Sequence, residues 1–214
     1  MSHPLDRSFY QSNAVAVARA LLGKKLVHID AAAGTISGVI VETEAYAGRE
    51  DAACHSYKRK SPQAGHRTNV MFGPGGYAYV YLIYGMYDCF NVVANAEGEP
   101  EAVLIRAVEP REGVDTMRRR RGAADVKKLC GGPGRLCMAL DITRRHYGAD
   151  LCATDGGDAL FITEGETVPD SRVLATPRIN VNYAGEAALY PYRFVIKDSL
   201  CLSVRRGGLS LVTQ

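Results

Sequence analysis

Between residues 77 and 110 three strand-like runs follow one another with almost nothing between them. YAYVYLI (77–83) is rich in Tyr and Val. CFNVVA (89–94) comes after a turn at Tyr84-Gly85-Met86, and EAVLIRAVEP (101–110) comes after an Asn-Ala-Glu-Gly-Glu turn. β-branched and aromatic residues bounded by Gly, Asn and Pro are what strands are made of. A parallel pair needs a crossover of about a dozen residues or more, so connections this short force an antiparallel meander. Gly-Pro-Gly-Gly at 73–76 supplies the turn that introduces it.

The remaining segments fit around such a sheet. NAVAVARALL (13–22) has the pattern of an amphipathic helix, with Asn13 as its N-cap and Gly23 just past its end. KKLVHID (24–30) and TISGVIVETEAY (35–46) read as strands. Helices are predicted over 112–121 and 133–140, and late strands over RFVIK (193–197) and LCLSVR (200–205). The predicted class is α+β: a single mixed domain over residues 1–214, built around a curved antiparallel β-sheet with surrounding helices. A chain of 214 residues that is 47% hydrophobic can bury such a core without staples.

Several function classes drop out. No apolar run approaches the roughly 18 residues of a spanning helix. MSHPLDRSFY has a Pro and an Asp where a signal peptide carries its apolar stretch, so the expectation is a soluble, non-secreted protein with no membrane partner. The six cysteines (54, 89, 130, 137, 152 and 201) include no Cys-x-x-Cys pair and read as reduced thiols. Cys54 beside His55 is the one Cys/His contact in sequence, and no metal site is expected. GGYAYV lacks the Gly-x-Gly-x-x-Gly spacing of a dinucleotide site, and GGPGRLC lacks the Lys-Ser/Thr of a Walker loop. Neither Gly-x-Ser-x-Gly nor His-Glu-x-x-His occurs. Cofactor-free chemistry follows.

Charge is placed unevenly. Net charge is only +3, yet Arg111–Arg145 holds ten Lys/Arg against four acids, and Lys58-Arg59-Lys60 with His66-Arg67 makes a second basic patch. Asp150, Asp155, Asp158, Glu164, Glu166 and Asp170 follow without a compensating base. A face for a polyanion and a solvated helix face both account for this pattern.

Strand alternation then sorts the chemistry. Glu42, Glu44 and Tyr46 point one way from 41–46; Tyr77, Tyr79 and Tyr81 share a face; Leu104 and Arg106 share another. An acid, aromatics and an Arg on one sheet are raw material for a pocket, while half-buried packing is the plainer alternative.

Taken together, VETEAY (41–46), Ala-x-His-Ser (53–56), RTNVMFGPGG (67–76), YVYLIYGMYDCFNVV (79–93) and VLIRAVEP (103–110) resemble the 3-methyladenine DNA glycosylases of the alkyladenine glycosylase family. The likeness runs from LLGKKLV (21–27) through GPGRLCMAL (132–140) to NYAGEAALYPYRFVI (182–196). It implies a DNA-repair enzyme that flips damaged purines (3-methyladenine, 7-methylguanine, hypoxanthine, ethenoadenine) out of duplex DNA and hydrolyses the N-glycosidic bond, leaving an abasic site. By the same resemblance Glu44 matches the general base, and Arg106 the residue that helps hold the catalytic water and the target backbone. Tyr46, His55 and Tyr81 match the aromatic walls of the base pocket, Leu104 its floor, and Asn91 the amide that disfavours the exocyclic amino group of guanine. Tyr84 matches the residue wedged into the DNA stack, flanked by Met86 and Tyr87, and Arg67 is a plausible backbone contact.

The chemistry agrees with those roles. Extruding a nucleotide requires filling the gap it leaves. Cationic methylated purines suit an electron-rich aromatic box, each well-placed ring contributing about 1–2 kcal/mol. They are good leaving groups that need no protonation, so a single carboxylate suffices. His55 is the weaker candidate for an acid toward neutral bases. No Lys in the matching motifs replaces water, so the expectation is a monofunctional, monomeric glycosylase without lyase activity, cytoplasmic or nucleoid-associated in a prokaryote and nuclear in a eukaryote. A non-catalytic module that binds damaged DNA, and a hydrolase of small nucleosides, are the competing readings.

Overall fold

The computed structural model describes residues 3–154 and 157–204. Its strands are β1 (Lys25–Asp30), β2 (Gly34–Tyr46), β3 (Ala78–Ile83), β4 (Tyr87–Ala94), β5 (Glu101–Glu112), β6 (Ala159–Thr163), β7 (Val173–Thr176) and β8 (Arg193–Ile196). Its α-helices are α1 (Ala14–Ala20), α2 (Val114–Arg121) and α3 (Pro133–Leu140). All eight strands join one sheet in the order β3-β4-β5-β2-β1-β6, with β8 pairing β2 and β7 pairing β8. Every pair is antiparallel. The α+β class and the β3-β4-β5 meander are as the sequence predicts.

Local signals set the helix ends. The Asn13 side chain accepts a hydrogen bond from the Ala16 N–H, which caps α1. Thr43 on β2 donates its hydroxyl to the Ala18 carbonyl, tying α1 to one face of the sheet. α2 begins at Val114 rather than 112, because β5 continues to Glu112 opposite Ser37 and Gly113 then turns the chain at φ +69°. α3 opens with Pro133 in its first turn, where a missing N–H costs nothing. The main core joins these helices to the sheet through Val17, Ile40, Phe90, Ile105, Met117 and Leu136, all buried.

Two expectations change. Residues 200–204 form no strand; the Ser203 N–H and hydroxyl are instead drawn to the Glu42 carboxylate (2.7 Å each), and residue 205 lies outside the described residues. β6 and β7 were not predicted, and both extend the sheet beyond the strands legible in sequence. All six cysteines are free thiols.

Candidate active site

β2 runs through the middle of the sheet. Its first half lies between β1 and β5, and its second half between β8 and β5. The β2–β5 register slips three times, and two of the slips flank Glu42: Ile40 faces Val108 and Glu42 faces Ala107, then Thr43 faces Ile105. At these two slips Val41 is the extra residue on β2 and Arg106 the extra residue on β5. Such bulges re-aim side chains. Here the Arg106 guanidinium reaches back to β2 and contacts Glu42 Oε1 through Nε and Glu44 Oε2 through Nη1, both at 3.2 Å.

Glu44 itself is fully buried. Its Oε2 accepts the Tyr46 hydroxyl at 2.9 Å as well as Arg106, and its Oε1 accepts the Ile179 N–H at 2.7 Å. A carboxylate offers about four acceptor positions. Among the described residues three are taken, which leaves one on Oε1. Glu42 sits deeper in the same network, with Arg193 Nε at 2.7 Å and the Ser203 donors around it. Burial works against its charge, but Arg193 and Arg106 outweigh burial and hold its carboxyl below the usual range. Burial likewise opposes the Arg106 charge, and Glu44 and Glu42 more than offset it, so the guanidinium stays protonated.

A cavity of about 360 Å³ opens over this network. Tyr46, Arg106 and Ile179, the three residues that hold Glu44, all line it, together with His55, Tyr79, Tyr81, Asn91 and Leu104. Glu44 stands immediately behind them. Tyr81 and His55 meet edge to face at 4.7 Å between ring centroids, and Tyr79 and Tyr81 lie 5.2 Å apart. Tyr77 packs against the same cluster as Tyr79 and Tyr81, so the shared face read from alternation holds. The Asn91 amide nitrogen donates to the backbone carbonyls of Tyr79 (3.0 Å) and Cys89 (3.4 Å).

The aromatic groups are held neutral. The His55 ring pairs through Nδ1 with the Tyr79 hydroxyl at 3.0 Å. Burial, reinforced by the positive charge of Arg67 and by His66, lowers its pKa to about 4. Burial pushes the phenols of Tyr79, Tyr81 and Tyr46 up out of reach of solution pH. The Cys54 thiol, hydrogen-bonded with Ser56, is raised by burial too, so it stays protonated at neutral pH.

The β3–β4 connection forms the cavity rim. Tyr84 is 74% exposed and Met86 67% exposed, with Tyr87 partly exposed behind them. Tyr84 stands in the turn itself at φ +52°, outside the strand, so the rule of alternating faces does not place it; it lines the cavity mouth. Gly134, in the first turn of α3, lets that helix lie against Tyr87: a Cβ there would stand 2.9 Å from the Tyr87 Cβ. Asp88 is neutralised by Arg144 at 3.5 Å, which removes a repulsive charge from the hairpin. Arg67 is exposed and lies 5.3 Å from the Tyr81 ring centroid.

The basic run is largely occupied internally. Arg118 pairs with Asp115, Arg120 with Asp30 at 2.5 Å, Arg145 with Asp141, and Arg121 donates to the Leu129 carbonyl. Most of this segment is therefore structural charge. Among the described residues one cluster brings metal-binding atoms within 4.8 Å, namely His28, His146 and Asp158, away from the cavity lining. His28 there is already engaged by the Leu140 carbonyl and by Asp158, each at 2.6 Å.

The sequence profile of the methylpurine-DNA glycosylase family matches residues 8–200. The chain belongs to that family. A protein of Methanocella arvoryzae with the name "Putative 3-methyladenine DNA glycosylase" is 48% identical over 205 residues, covering 95% of this chain and 98% of its own length. Proteins of the same name from Alkaliphilus oremlandii (45% identity; 93% and 98% coverage) and Myxococcus xanthus (48%; 91% of each) are similar over nearly their full lengths. Sequence reasoning missed Tyr79 as a site residue, although its place between Tyr77 and Tyr81 signalled it. It also missed Ile179 and Tyr183, which line the cavity, and Arg193, which holds Glu42; Tyr183 and Arg193 fall inside the matched run 182–196, whereas Ile179 carries no local signal.

Proposed function

We propose that this chain is a monofunctional DNA glycosylase that releases methylated purines, 3-methyladenine foremost, from duplex DNA. The carrying observation is the Glu44 carboxylate, fixed by the Ile179 N–H, the Tyr46 hydroxyl and Arg106 behind an aromatic cavity, with one Oε1 acceptor position unfilled among the described residues. A water donating to that position loses its proton to Glu44 as it attacks the anomeric carbon. The carboxylate charge also stabilises the oxocarbenium-like sugar. Tyr46, His55, Tyr79 and Tyr81 sandwich the extruded base, and uncharged rings attract its positive charge more than a protonated His55 would. Tyr84, projecting from the rim, fills the gap in the stack, and Met86 and Tyr87 support it. Arg67, exposed at the rim, meets phosphate.

Substrate order follows from the protonation state of His55. His55 is neutral above about pH 4, so it carries no proton for a neutral leaving base at pH 7. Cationic 3-methyladenine and 7-methylguanine therefore leave faster than hypoxanthine or ethenoadenine. No Lys lines the cavity among the described residues, which supports water rather than an amine as the nucleophile. Incubation with methylated duplex should yield free bases and abasic strands that break only on later alkali treatment. Strand breakage without alkali, with a borohydride-trapped protein–DNA adduct, would sink the monofunctional reading; binding without base release would favour a lesion reader.

A further inference from the structure

Behind the Tyr46 ring lies a buried ion pair that the hydrolytic scheme does not use. Arg178 and Asp51 are both buried, and their side chains meet in a two-pronged contact, Nη2 reaching Asp51 Oδ1 at 2.8 Å and Nη1 reaching Oδ2. The guanidinium also donates to the carbonyls of Ala45 (2.8 Å) and Ala187 (2.9 Å), while its Nε has no partner among the described residues. Asp51 in turn accepts the N–H groups of Ala47 and Ala53 at 3.0 Å each.

Several of these contacts end beside the candidate site. Ala45 lies between Glu44 and Tyr46. The guanidinium carbon stands 4.9 Å from the Tyr46 ring centroid, and that ring's hydroxyl holds Glu44 Oε2. The residue after Arg178 is Ile179, whose N–H holds Glu44 Oε1. Ala53 begins the segment that carries His55. Moving Arg178 would thus move both non-Arg106 donors to the carboxylate at once.

We propose that Arg178, locked by Asp51, is a positioning residue that aims the Ile179 N–H and the Tyr46 hydroxyl at Glu44 and so fixes the carboxylate behind the cavity. The assignment rests on Glu44 being the general base. Arg is required because only a planar fork meets two carboxylate oxygens and two carbonyls together; Lys supplies one point charge.

The test uses the full chain carrying Asp51→Asn or Arg178→Lys. It reads single-turnover base release from methylated duplex, affinity for a lesion duplex, and the Ile179 amide proton shift by NMR. Expected are a release rate lower by about 10–100-fold, as small misplacements of reacting groups produce, affinity within about threefold of wild type, and an upfield move of the Ile179 amide as its bond to the carboxylate lengthens. An unchanged rate or an unmoved amide in a folded variant would overturn the proposal. So would a rate that falls only in step with affinity. Failure of both variants to fold overturns it as well, since the pair would then be holding the fold rather than the carboxylate. If wild type releases no base, the glycosylase reading fails, yet the amide shift still decides the positioning claim.

Discussion

His55 shows how one residue's surroundings choose its chemistry. An imidazole in water titrates near 6.5; here burial first, then Arg67 and His66, bring it to about 4. The unfolded chain therefore takes up this proton before the folded one does. The stability His55 contributes is complete above pH 6.5 and is lost as pH falls from there toward 4. NMR titration of the ring should show a midpoint near 4, and His55→Gln should shrink the drop in urea midpoint between pH 7 and pH 4.5. A ring midpoint near 6.5 would contradict both the neutral aromatic wall and the substrate order argued from it.

At the scale of elements, the β3–β4 hairpin separates function from stability. Tyr84 and Gly85 both take positive φ (+52° and +69°), and no atom lies within 4 Å of a Cβ built on Gly85. Gly85→Ala thus adds backbone strain alone, roughly 1 kcal/mol, or about 2–4 °C in Tm for a chain this size. Tyr84→Ala should leave Tm nearly unchanged, because the side chain is solvent-exposed, while weakening lesion-duplex binding by about 10-fold through lost stacking. Thermal melts and fluorescence anisotropy separate the two. The opposite behaviour belongs to the junction of β2, β5 and β8, where Glu42 is fully buried between Arg106 and Arg193. Glu42→Gln leaves buried guanidinium charge uncompensated and should cost about 3–5 kcal/mol. The melt should then fall by roughly 6–20 °C; a loss under about 2 °C would show that the network is not the clamp described.

For the whole molecule, what could be read in advance was whatever has a short-range pattern. The meander followed from connection lengths, the α1 cap from Asn13, and the shared face of Tyr77, Tyr79 and Tyr81 from alternation. Glu44, Arg106 and the cavity walls were legible through long ordered motifs in the middle of the chain. Contacts between distant segments were not. Arg178 lies 127 residues from Asp51, and Arg193 lies 151 from Glu42, so no spacing announces either pair. β7 was hidden because its four residues gain strand character only from β8 beside it. The segment 200–204 has a strand's composition, but Ser203 is captured by Glu42 instead of a neighbouring strand. For the run Arg118–Arg121 the charge pattern left a polyanion face and a solvated helix face equally open, and its partners lie in α2 itself, at Asp30 and at the Leu129 carbonyl.

In the proposed function this sheet holds one carboxylate behind an aromatic cavity for hydrolysis of a flipped nucleotide. Glu44→Gln tests it most directly, since Gln keeps the size of Glu and an oxygen for the Ile179 N–H while it cannot take a proton from water. Single-turnover release of 3-methyladenine from methylated duplex should fall by about 10²–10⁴-fold, the usual contribution of a positioned base, with lesion affinity within a few-fold of wild type. Release within about threefold of wild type would contradict the account.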